Sequence, residues 1–401
     1  MSESPFTLAV PDTELEFLRK KLELTRFPDE LDGAEWKYGP PLEDMRRLVA
    51  RWKDGYDWRK AEAEINKIPQ FTRDIEVDGF GSLNIHYVHQ QSRVTGAVPL
   101  LFIHGWPGHF MEVSKLLPLL PETSPEHPSF HVVALSLPGF GFSEAAKKTG
   151  FGIYQYAEVA NKLMVALGYH EYVIQAGDWG YGITKIMAHK YGHKYVKAWH
   201  TNFPTTGPPT FTSDPGRYLA SLVSPYTAEE NASLERTKYF WEKRSGYFRI
   251  QQHTPQTLGY SIADSPAGLL GWIYEKIILA SDSYPWDDDE ILTWISIYWF
   301  SRAGPTASVR IYYEATTEID PFHENIWSSI PLGFSFFPKE IAKVPRLWSR
   351  GIGNVVFEAE HESGGHFAAH EKPAELVGDL RKMFGKGGPA YGVVKGKDGY
   401  A

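Results

Sequence analysis

The sequence predicts an α/β fold with a mostly parallel central sheet, an inserted helical cap and an N-terminal helical arm. Short apolar runs alternate with a helical segment in the middle of the chain, as in βαβ units. The start of the chain is charged and has helical spacing instead. A long helical, aromatic and loop-rich stretch separates the early strands from the late ones. Together these observations indicate an α/β body with two helical additions.

The arm is predicted over residues 1–72. Leu15, Leu18 and Leu22 recur at the spacing of a helix, and residues 39–41, Gly-Pro-Pro, interrupt the pattern and mark a turn. Because the segment is highly charged, we expect it to wrap around another body rather than to fold by itself.

The first part of the core is predicted over residues 73–203, and it begins with an antiparallel hairpin. Alternating residues at 74–77 and 83–88 flank a Gly-Phe-Gly turn. Two largely apolar runs follow, at 100–103 and 132–137. They have the composition of strands that are buried on both faces of a sheet.

A helical segment at 154–167 then leads into a third apolar run at 172–174. Residues 204–320, which are helical and aromatic, are predicted to form the cap. Strand-like runs at 332–337 and 354–357 resume the sheet.

The second part of the core is predicted over residues 321–401. It includes those two late strands and a terminal helix at 373–383. The tail after Gly385 is rich in Gly and Lys, and we expect it to be mobile.

The composition excludes several classes of function. The 401 residues include 41 Lys and Arg against 49 Asp and Glu, which gives a net charge of −8. Nucleic acids and anionic membranes attract basic surfaces, so neither is an expected partner. The chain contains no cysteine, which rules out disulfides, thiolate metal sites and cysteine nucleophiles.

The sequence predicts a cytoplasmic protein without a stable membrane anchor. Residues 1–17 are polar and acidic, unlike the basic start and apolar stretch of a signal peptide. No run approaches the roughly 18 apolar residues of a membrane span.

No metal and no cofactor is expected. Residues 139–141 lack the third spaced glycine of a dinucleotide-binding loop. His361 and His366 are one residue too far apart for a zinc-binding helix, and two glycines interrupt the segment. The acidic run at 287–290 is typical of a helix start.

Asp178 is the candidate nucleophile. The run 173–180 passes from a strand through small residues into a helix, and Ala176 and Gly180 lie two positions on either side of Asp178. This is the context of a nucleophile elbow, with aspartate in place of serine. An ordinary strand–turn–helix with Asp178 as a cap explains the same run equally well.

Aspartate at this position favours attack on saturated carbon. A carboxylate is already ionised near neutral pH and needs no base to activate it. Attack on an epoxide carbon by a serine would leave an ether, which water does not readily cleave. Attack by Asp178 would leave an ester, whose carbonyl water can hydrolyse.

His366 and Glu340 are the candidate base and orienting acid. A nucleophile, an acid and a histidine follow in the chain order of α/β-hydrolases. His366 follows a late strand, in a loop suited to a water-activating base, and His361 and His370 are nearby alternatives. Glu340, which follows the run ending at 337–338, would hold the imidazole in one tautomer.

The backbone N–H groups of Trp106 and Trp179 are the candidate oxyanion hole. The run 104–108, His-Gly-Trp-Pro-Gly, directly follows an apolar strand. These two N–H groups would stabilise the tetrahedral intermediate of ester hydrolysis.

Several runs in the same order resemble the microsomal-type epoxide hydrolase family, including its soluble fungal members. The matching runs are 22–28, 104–108, 137–143, 177–180 and 364–369. The resemblance covers nearly the whole chain, including the arm. It implies the α/β-hydrolase fold, a small-molecule epoxide substrate and a role in detoxification or aromatic hydrocarbon catabolism, and it leaves a homodimer open.

The resemblance also implies two cap tyrosines that hydrogen-bond the epoxide oxygen. The run 246–251 matches the first at Tyr247. The run 310–314 matches the second at Tyr312, with adjacent Tyr313 as the alternative. The family pattern also supports Glu340 as the acid.

Two other functions compete with epoxide hydrolysis. A haloalkane or fluoroacetate dehalogenase shares the aspartate elbow and histidine, but uses Trp, Asn or His to hold the halide; Tyr247 and Tyr312 disfavour it. A non-enzymatic hydrolase-like binding protein commonly lacks a triad member, whereas every candidate position is filled here.

Overall fold

The computed structural model describes residues 3–324 and 326–401. Within them, strands form a nine-stranded sheet in the order β1-β2-β3-β5-β4-β6-β7-β8-β9. The strands are β1 (Ser4–Pro5), β2 (Gln70–Val77), β3 (Gly81–Gln90), β4 (Val98–Ile103), β5 (Phe130–Leu135), β6 (Tyr172–Ala176), β7 (Val196–Thr201), β8 (Pro331–Phe336) and β9 (Asn354–Glu360).

The helices fall into four groups along the chain. The arm contains α1 (Asp12–Glu23), α2 (Leu42–Asp54) and α3 (Trp58–Ile65). The body contains α4 (Ile153–Ala166) and α5 (Asp178–Tyr191). Between β7 and β8 lie α6 (Pro215–Val223), α7 (Ala228–Tyr239), α8 (Gly246–His253), α9 (Pro255–Asp264), α10 (Pro266–Ala280), α11 (Asp288–Trp299) and α12 (Arg310–Glu318). The last group is α13 (Arg346–Ser349), α14 (Ala368–Glu371) and α15 (Pro373–Phe384).

The sheet is antiparallel at one side and parallel elsewhere. β1, β2 and β3 pair antiparallel, and β3 meets β5 antiparallel. All pairings from β5 through β9 are parallel. The carboxyl ends of β4, β6, β8 and β9 therefore meet at one edge, where loops of an α/β sheet carry function. The predicted mostly parallel sheet is confirmed.

The sequence analysis did not predict β7. Its run is interrupted by Lys197 and by His200, which is buried and hydrogen-bonded to Gln175 (Nδ1 to Oε1, 2.6 Å). A buried polar side chain with a hydrogen-bond partner is tolerated inside a central strand, but it interrupts the apolar run by which buried strands are recognised in a sequence.

The arm is part of the main apolar core. Leu18, Leu22 and Trp52 are buried in the same cluster as Ile291 and Leu292 of the cap. The arm therefore packs on the cap through apolar contacts.

The expected mobility of the tail is wrong. Ala390 and Val394 are buried. Gly399 accepts a hydrogen bond from the N–H of Ser129 and donates one to the carbonyl of Gly96, both at 2.8 Å. Buried apolar side chains and paired backbone groups fix the segment beside the loops that precede β4 and β5.

No helix in the described ranges is long and apolar enough to cross a membrane.

Candidate active site

Asp178 lies at the sharp turn between β6 and α5. Its φ of 49° is in the left-handed region, which is uncommon for a residue other than glycine. Gly180 allows the turn to pack closely, since a Cβ there would lie 2.1 Å from the carbonyl oxygen of Ile103. The small residue predicted at this position is thus required by the backbone of β4.

The loop after β4 contacts the Asp178 carboxylate. Oδ1 accepts a hydrogen bond from the N–H of Trp106 at 2.7 Å. A Cβ on Gly105 would lie 2.0 Å from the same oxygen, so only glycine fits there. Trp179, the other predicted oxyanion-hole residue, follows Asp178 directly in the first turn of α5.

His366 lies between two carboxylates. Its Nε2 is 3.3 Å from Asp178 Oδ2, and its Nδ1 is 2.5 Å from Glu340 Oε1. Burial alone would lower the pKa of His366, but the charges of Glu340 and Asp178 and their hydrogen bonds raise it well above its usual value. The structure therefore brings together the three residues predicted from chain order.

The two alternative histidines bond elsewhere. His361 Nε2 lies 2.6 Å from Asp379 Oδ2, and His370 Nε2 lies 2.8 Å from Glu290 Oε1. Since each has its own carboxylate, His366 is the histidine that faces Asp178.

Tyr247 of α8 and Tyr312 of α12 enclose the site from the cap. Tyr247 stacks on Trp106 (ring centroids 5.5 Å apart), and Tyr312 meets Trp179 edge to face (4.8 Å). Their own ring centroids are 6.1 Å apart. Tyr312 is 1% exposed, whereas Tyr313 is 45% exposed, so Tyr312 is the one that faces the site.

Burial keeps both phenols protonated. It raises the pKa of Tyr247 and of Tyr312 well above the ordinary tyrosine value, and the nearby Asp178 charge acts in the same direction. At neutral pH each tyrosine can therefore donate a hydrogen bond to an oxygen placed between them.

A cavity of about 570 Å³ extends from the loops of the core into the cap. Core residues on its wall include Trp106, Glu340, His366 and Phe367. Cap residues include Phe240, Tyr247, Leu279 and Ala280. This volume is in the range of small-molecule sites.

Two polar side chains near Asp178, Glu112 and Asn202, were not predicted from the sequence. Glu112 lies four positions after Gly108 of the His-Gly-Trp-Pro-Gly run, and this proximity is the signal that could have identified it. Asn202 follows the unpredicted β7.

The described ranges hold no cluster of three or more His, Asp or Glu side chains that could bind a metal ion. The acidic run at 287–290 begins α11, where Asp287 accepts from the N–H of Glu290 at 2.8 Å, as predicted for a helix start.

Two family models match the chain. The model described as "Epoxide hydrolase N terminus" matches residues 3–113. The model described as "alpha/beta hydrolase fold" matches residues 98–234. The predicted α/β-hydrolase fold is confirmed.

Similar proteins cover nearly the whole chain. A putative epoxide hydrolase of Stigmatella aurantiaca is 36% identical over 392 residues, which span 95% of this chain and 84% of the relative. The epoxide hydrolase structure of Aspergillus niger is 34% identical with a TM-score of 0.82, covering 95% of each chain. The juvenile hormone epoxide hydrolase of Bombyx mori is 30% identical with a TM-score of 0.84, covering 94% of this chain and 93% of that one. With relatives this similar along almost its full length, the chain belongs to the epoxide hydrolase family.

Proposed function

We propose that the protein converts epoxides and water into vicinal diols through an ester on Asp178. One observation carries the proposal. The Asp178 carboxylate lies between the N–H of Trp106 and the imidazole of His366, 2.7 and 3.3 Å away, on the side of the site that Tyr247 and Tyr312 enclose. The same site thus brings together a carboxylate, an imidazole and two phenol hydroxyl groups, which suit the roles of nucleophile, base and proton donors.

In the first step a carboxylate oxygen of Asp178 attacks one epoxide carbon. The bond between that carbon and the epoxide oxygen breaks, and the oxygen takes a proton from Tyr247 or Tyr312. The phenols are suited to this step because burial keeps them protonated at neutral pH. The product is an ester of Asp178 that carries a free hydroxyl group.

In the second step water hydrolyses that ester. His366 takes a proton from water, and the hydroxide adds to the carbonyl carbon of Asp178. The N–H groups of Trp106 and Trp179 stabilise the oxyanion. The alkoxide leaves and takes the proton from His366, and the new carboxylic acid returns its proton to the tyrosinate.

Ester formation itself makes neutral His366 available to accept a proton, because it lowers the pKa of the imidazole. In the free enzyme, the Asp178 charge and its hydrogen bond are among the causes that raise the pKa of His366. The ester is neutral, so those contributions disappear while burial still lowers the pKa. Glu340, which bonds Nδ1, remains to stabilise the imidazolium.

The cavity favours apolar epoxides. Its wall includes Phe240, Leu279 and Ile341 beside the aromatic rings of the site. Such a lining accommodates an aryl or alkyl group on the epoxide. This preference supports a role in detoxification or in aromatic hydrocarbon catabolism.

A single turnover of an aryl epoxide such as styrene oxide in isotopically labelled water tests the covalent route. One diol oxygen comes from the epoxide and the other from the Asp178 carboxylate, so we expect an unlabelled diol and label retained in Asp178. Mass spectrometry of the diol and of the peptide containing Asp178 gives the result. Label in the diol during that turnover would contradict the proposal.

The His366→Gln variant tests the second step. We expect the ester to form and to accumulate, because no base activates water. Intact-protein mass spectrometry should show the added mass of one epoxide. His361→Gln is the matched control, since His361 bonds to Asp379, and it should turn over without accumulation. Unimpaired diol release by His366→Gln would show that the base is misassigned.

A further inference from the structure

A second, small cavity lies beside the Asp178 carboxylate. Its volume is about 20 Å³. A single water needs roughly 10–15 Å³ of such space and two to four polar partners. Four polar side chains line this cavity: Glu112, Asp178, Asn202 and His366. The cavity therefore has the size and the polarity to hold one water molecule next to the carbon that hydroxide must attack.

Glu112 reaches this cavity by folding back over the loop after β4. A Cβ on Gly108 would lie 1.6 Å from Glu112 Oε1, so the absence of a side chain at Gly108 provides the space. Among the described residues, no Lys or Arg shifts the pKa of Glu112. Its carboxyl thus lies beside the two proposed catalytic groups without a cationic partner of its own.

Asn202 is oriented by its neighbours. Its Oδ1 accepts a hydrogen bond from Gln175 Nε2 at 2.9 Å, and its Nδ2 lies 3.5 Å from the carbonyl oxygen of His366. Nδ2 carries two N–H bonds, and only one is directed at His366, so the other is available to donate to a water in the cavity.

Glu112 is suited to be a neutral partner. Burial raises its pKa to about 8, His366 acts against this shift and Asp178 adds to it. When Asp178 becomes an ester and His366 is neutral, both charges are removed and burial remains. A protonated Glu112 would then offer a hydrogen-bonding group to the water without placing a second negative charge beside the developing oxyanion.

We propose that Glu112 is the positioning residue for the hydrolytic water, which it holds in the small cavity together with Asn202 and within reach of His366. The inference rests on the proposed two-step function. The water donates one proton to Nε2 of His366 and is held through its second proton by the Glu112 carbonyl oxygen. Its oxygen then adds to the carbonyl carbon of the Asp178 ester.

Stopped-flow fluorescence with styrene oxide tests this inference, because Trp106 and Trp179 lie at the site and report each step. In Glu112→Leu we expect ester formation within about 2-fold of wild type and ester hydrolysis slowed on the order of 10- to 100-fold, as for a misplaced reactant. Glu112→Asp has a shorter side chain, which withdraws the carboxyl from the cavity, so it should also slow ester hydrolysis. Glu112→Gln keeps a neutral hydrogen-bonding group and should restore hydrolysis to within about 3-fold.

The pH profile separates positioning from a structural role. Wild-type hydrolysis should decline as pH rises above about 8, because Glu112 then loses its proton, and Glu112→Gln should lack this decline. The groups that face Glu112 are Asp178 of α5, His366 after β9, Tyr298 of α11 and His109 in its own loop. Glu122→Gln, the same change at an exposed carboxyl paired with Arg381, is the control and should match wild type.

Three results would overturn the inference. They are wild-type hydrolysis in Glu112→Leu, equal slowing of both steps, and failure of Glu112→Gln to restore the rate. Failure of the proposed function looks different, since no ester would then form in wild type or in His366→Gln.

Discussion

Two phenols, those of Tyr247 and Tyr312, are the proposed donors to the leaving oxygen. Both are buried against the tryptophans beside Asp178, and both remain protonated at neutral pH. A proton donor is needed when the leaving group is an epoxide oxygen that stays attached to the product. A halide ion leaves without a proton, so this pair favours epoxide opening over dehalogenation.

We predict that Tyr247→Phe and Tyr312→Phe each slow ester formation on the order of 10-fold or more, because one donor to the epoxide oxygen is lost. The double variant should form no detectable ester. Rapid-quench detection of the adduct measures this step directly. Tyr313→Phe is the control, since Tyr313 is exposed. Ester formation slowed as much in Tyr313→Phe as in Tyr312→Phe would show that Tyr312 is misassigned as the second cap tyrosine.

At the residue scale, the sequence allows a prediction where chemistry and chain order restrict the choice. Asp178, Glu340 and His366 could be named because aspartate at an elbow needs an acid and a histidine that follow it in the chain. Glu112 and Asn202 could not be named, since a lone Glu or Asn has no pattern of its own. Their relevance comes from a cavity that only folding creates.

At the scale of elements, the close contact between α5 and β4 positions Asp178, the proposed nucleophile. We predict that Gly180→Ala destabilises the protein by about 1–3 kcal/mol or more, because the new methyl group meets the backbone of Ile103, which has little freedom to move. Urea unfolding measures the change in the free energy of unfolding.

Gly378→Ala is the matched control for that substitution. Gly378 lies within α15, and a Cβ there would have no neighbour within 4 Å. The change should stabilise the helix by about 0.5–1 kcal/mol. A Gly180→Ala protein as stable as Gly378→Ala would contradict the role assigned to this contact.

Apolar packing rather than ion pairing attaches α2 of the arm to the cap. Arg51 makes a bidentate pair with Asp289 at 2.8 and 2.9 Å, but the two side chains are 45% and 48% exposed. Trp52 is 4% exposed and belongs to the main core. We predict that Trp52→Ala costs about 3–5 kcal/mol of stability, while Arg51→Met leaves the unfolding midpoint nearly unchanged because water screens exposed pairs. A larger loss of thermal stability in Arg51→Met than in Trp52→Ala would contradict this prediction.

At the scale of the whole molecule, buried neutral histidines make stability depend on pH. Burial lowers the pKa of His86 to about 3 and those of His104 and His200 to about 4. In the unfolded chain a histidine titrates near 6.5. Below that pH the unfolded chain binds protons that the folded protein does not, so stability decreases as pH falls from about 6.5 towards 4.

We predict a slope of up to about 1.4 kcal/mol per pH unit for each such histidine, or about 4 kcal/mol per pH unit for the three together. Urea unfolding between pH 7 and pH 4.5 measures it. His366 affects stability in a different pH range. Its pKa is raised in the folded protein, so its contribution to stability is lost only as pH rises above about 6.5.

His200→Gln should reduce the acid slope by up to about 1.4 kcal/mol per pH unit, since one buried neutral histidine is lost. His253→Gln, at an exposed histidine, is the control and should leave the slope unchanged. A free energy of unfolding that does not change between pH 6.5 and pH 4.5 would contradict the prediction.

The sequence by itself determined the fold class, the strand-to-helix turn at Asp178 and the order of the three candidate catalytic groups. Apolar periodicity and chain order are local properties, so one chain suffices to recognise them. The sequence did not reveal β7, because the buried His200 interrupts its apolar pattern. It also did not reveal the packing of the tail, whose backbone is hydrogen-bonded to distant loops.

Only the tertiary structure decided between Tyr312 and Tyr313, between His366 and its neighbours, and which further polar groups face Asp178. These choices depend on the direction of side chains and on distances between residues far apart in the chain. Cap, core and arm must pack together before such distances exist, because burial and contact are properties of the whole molecule.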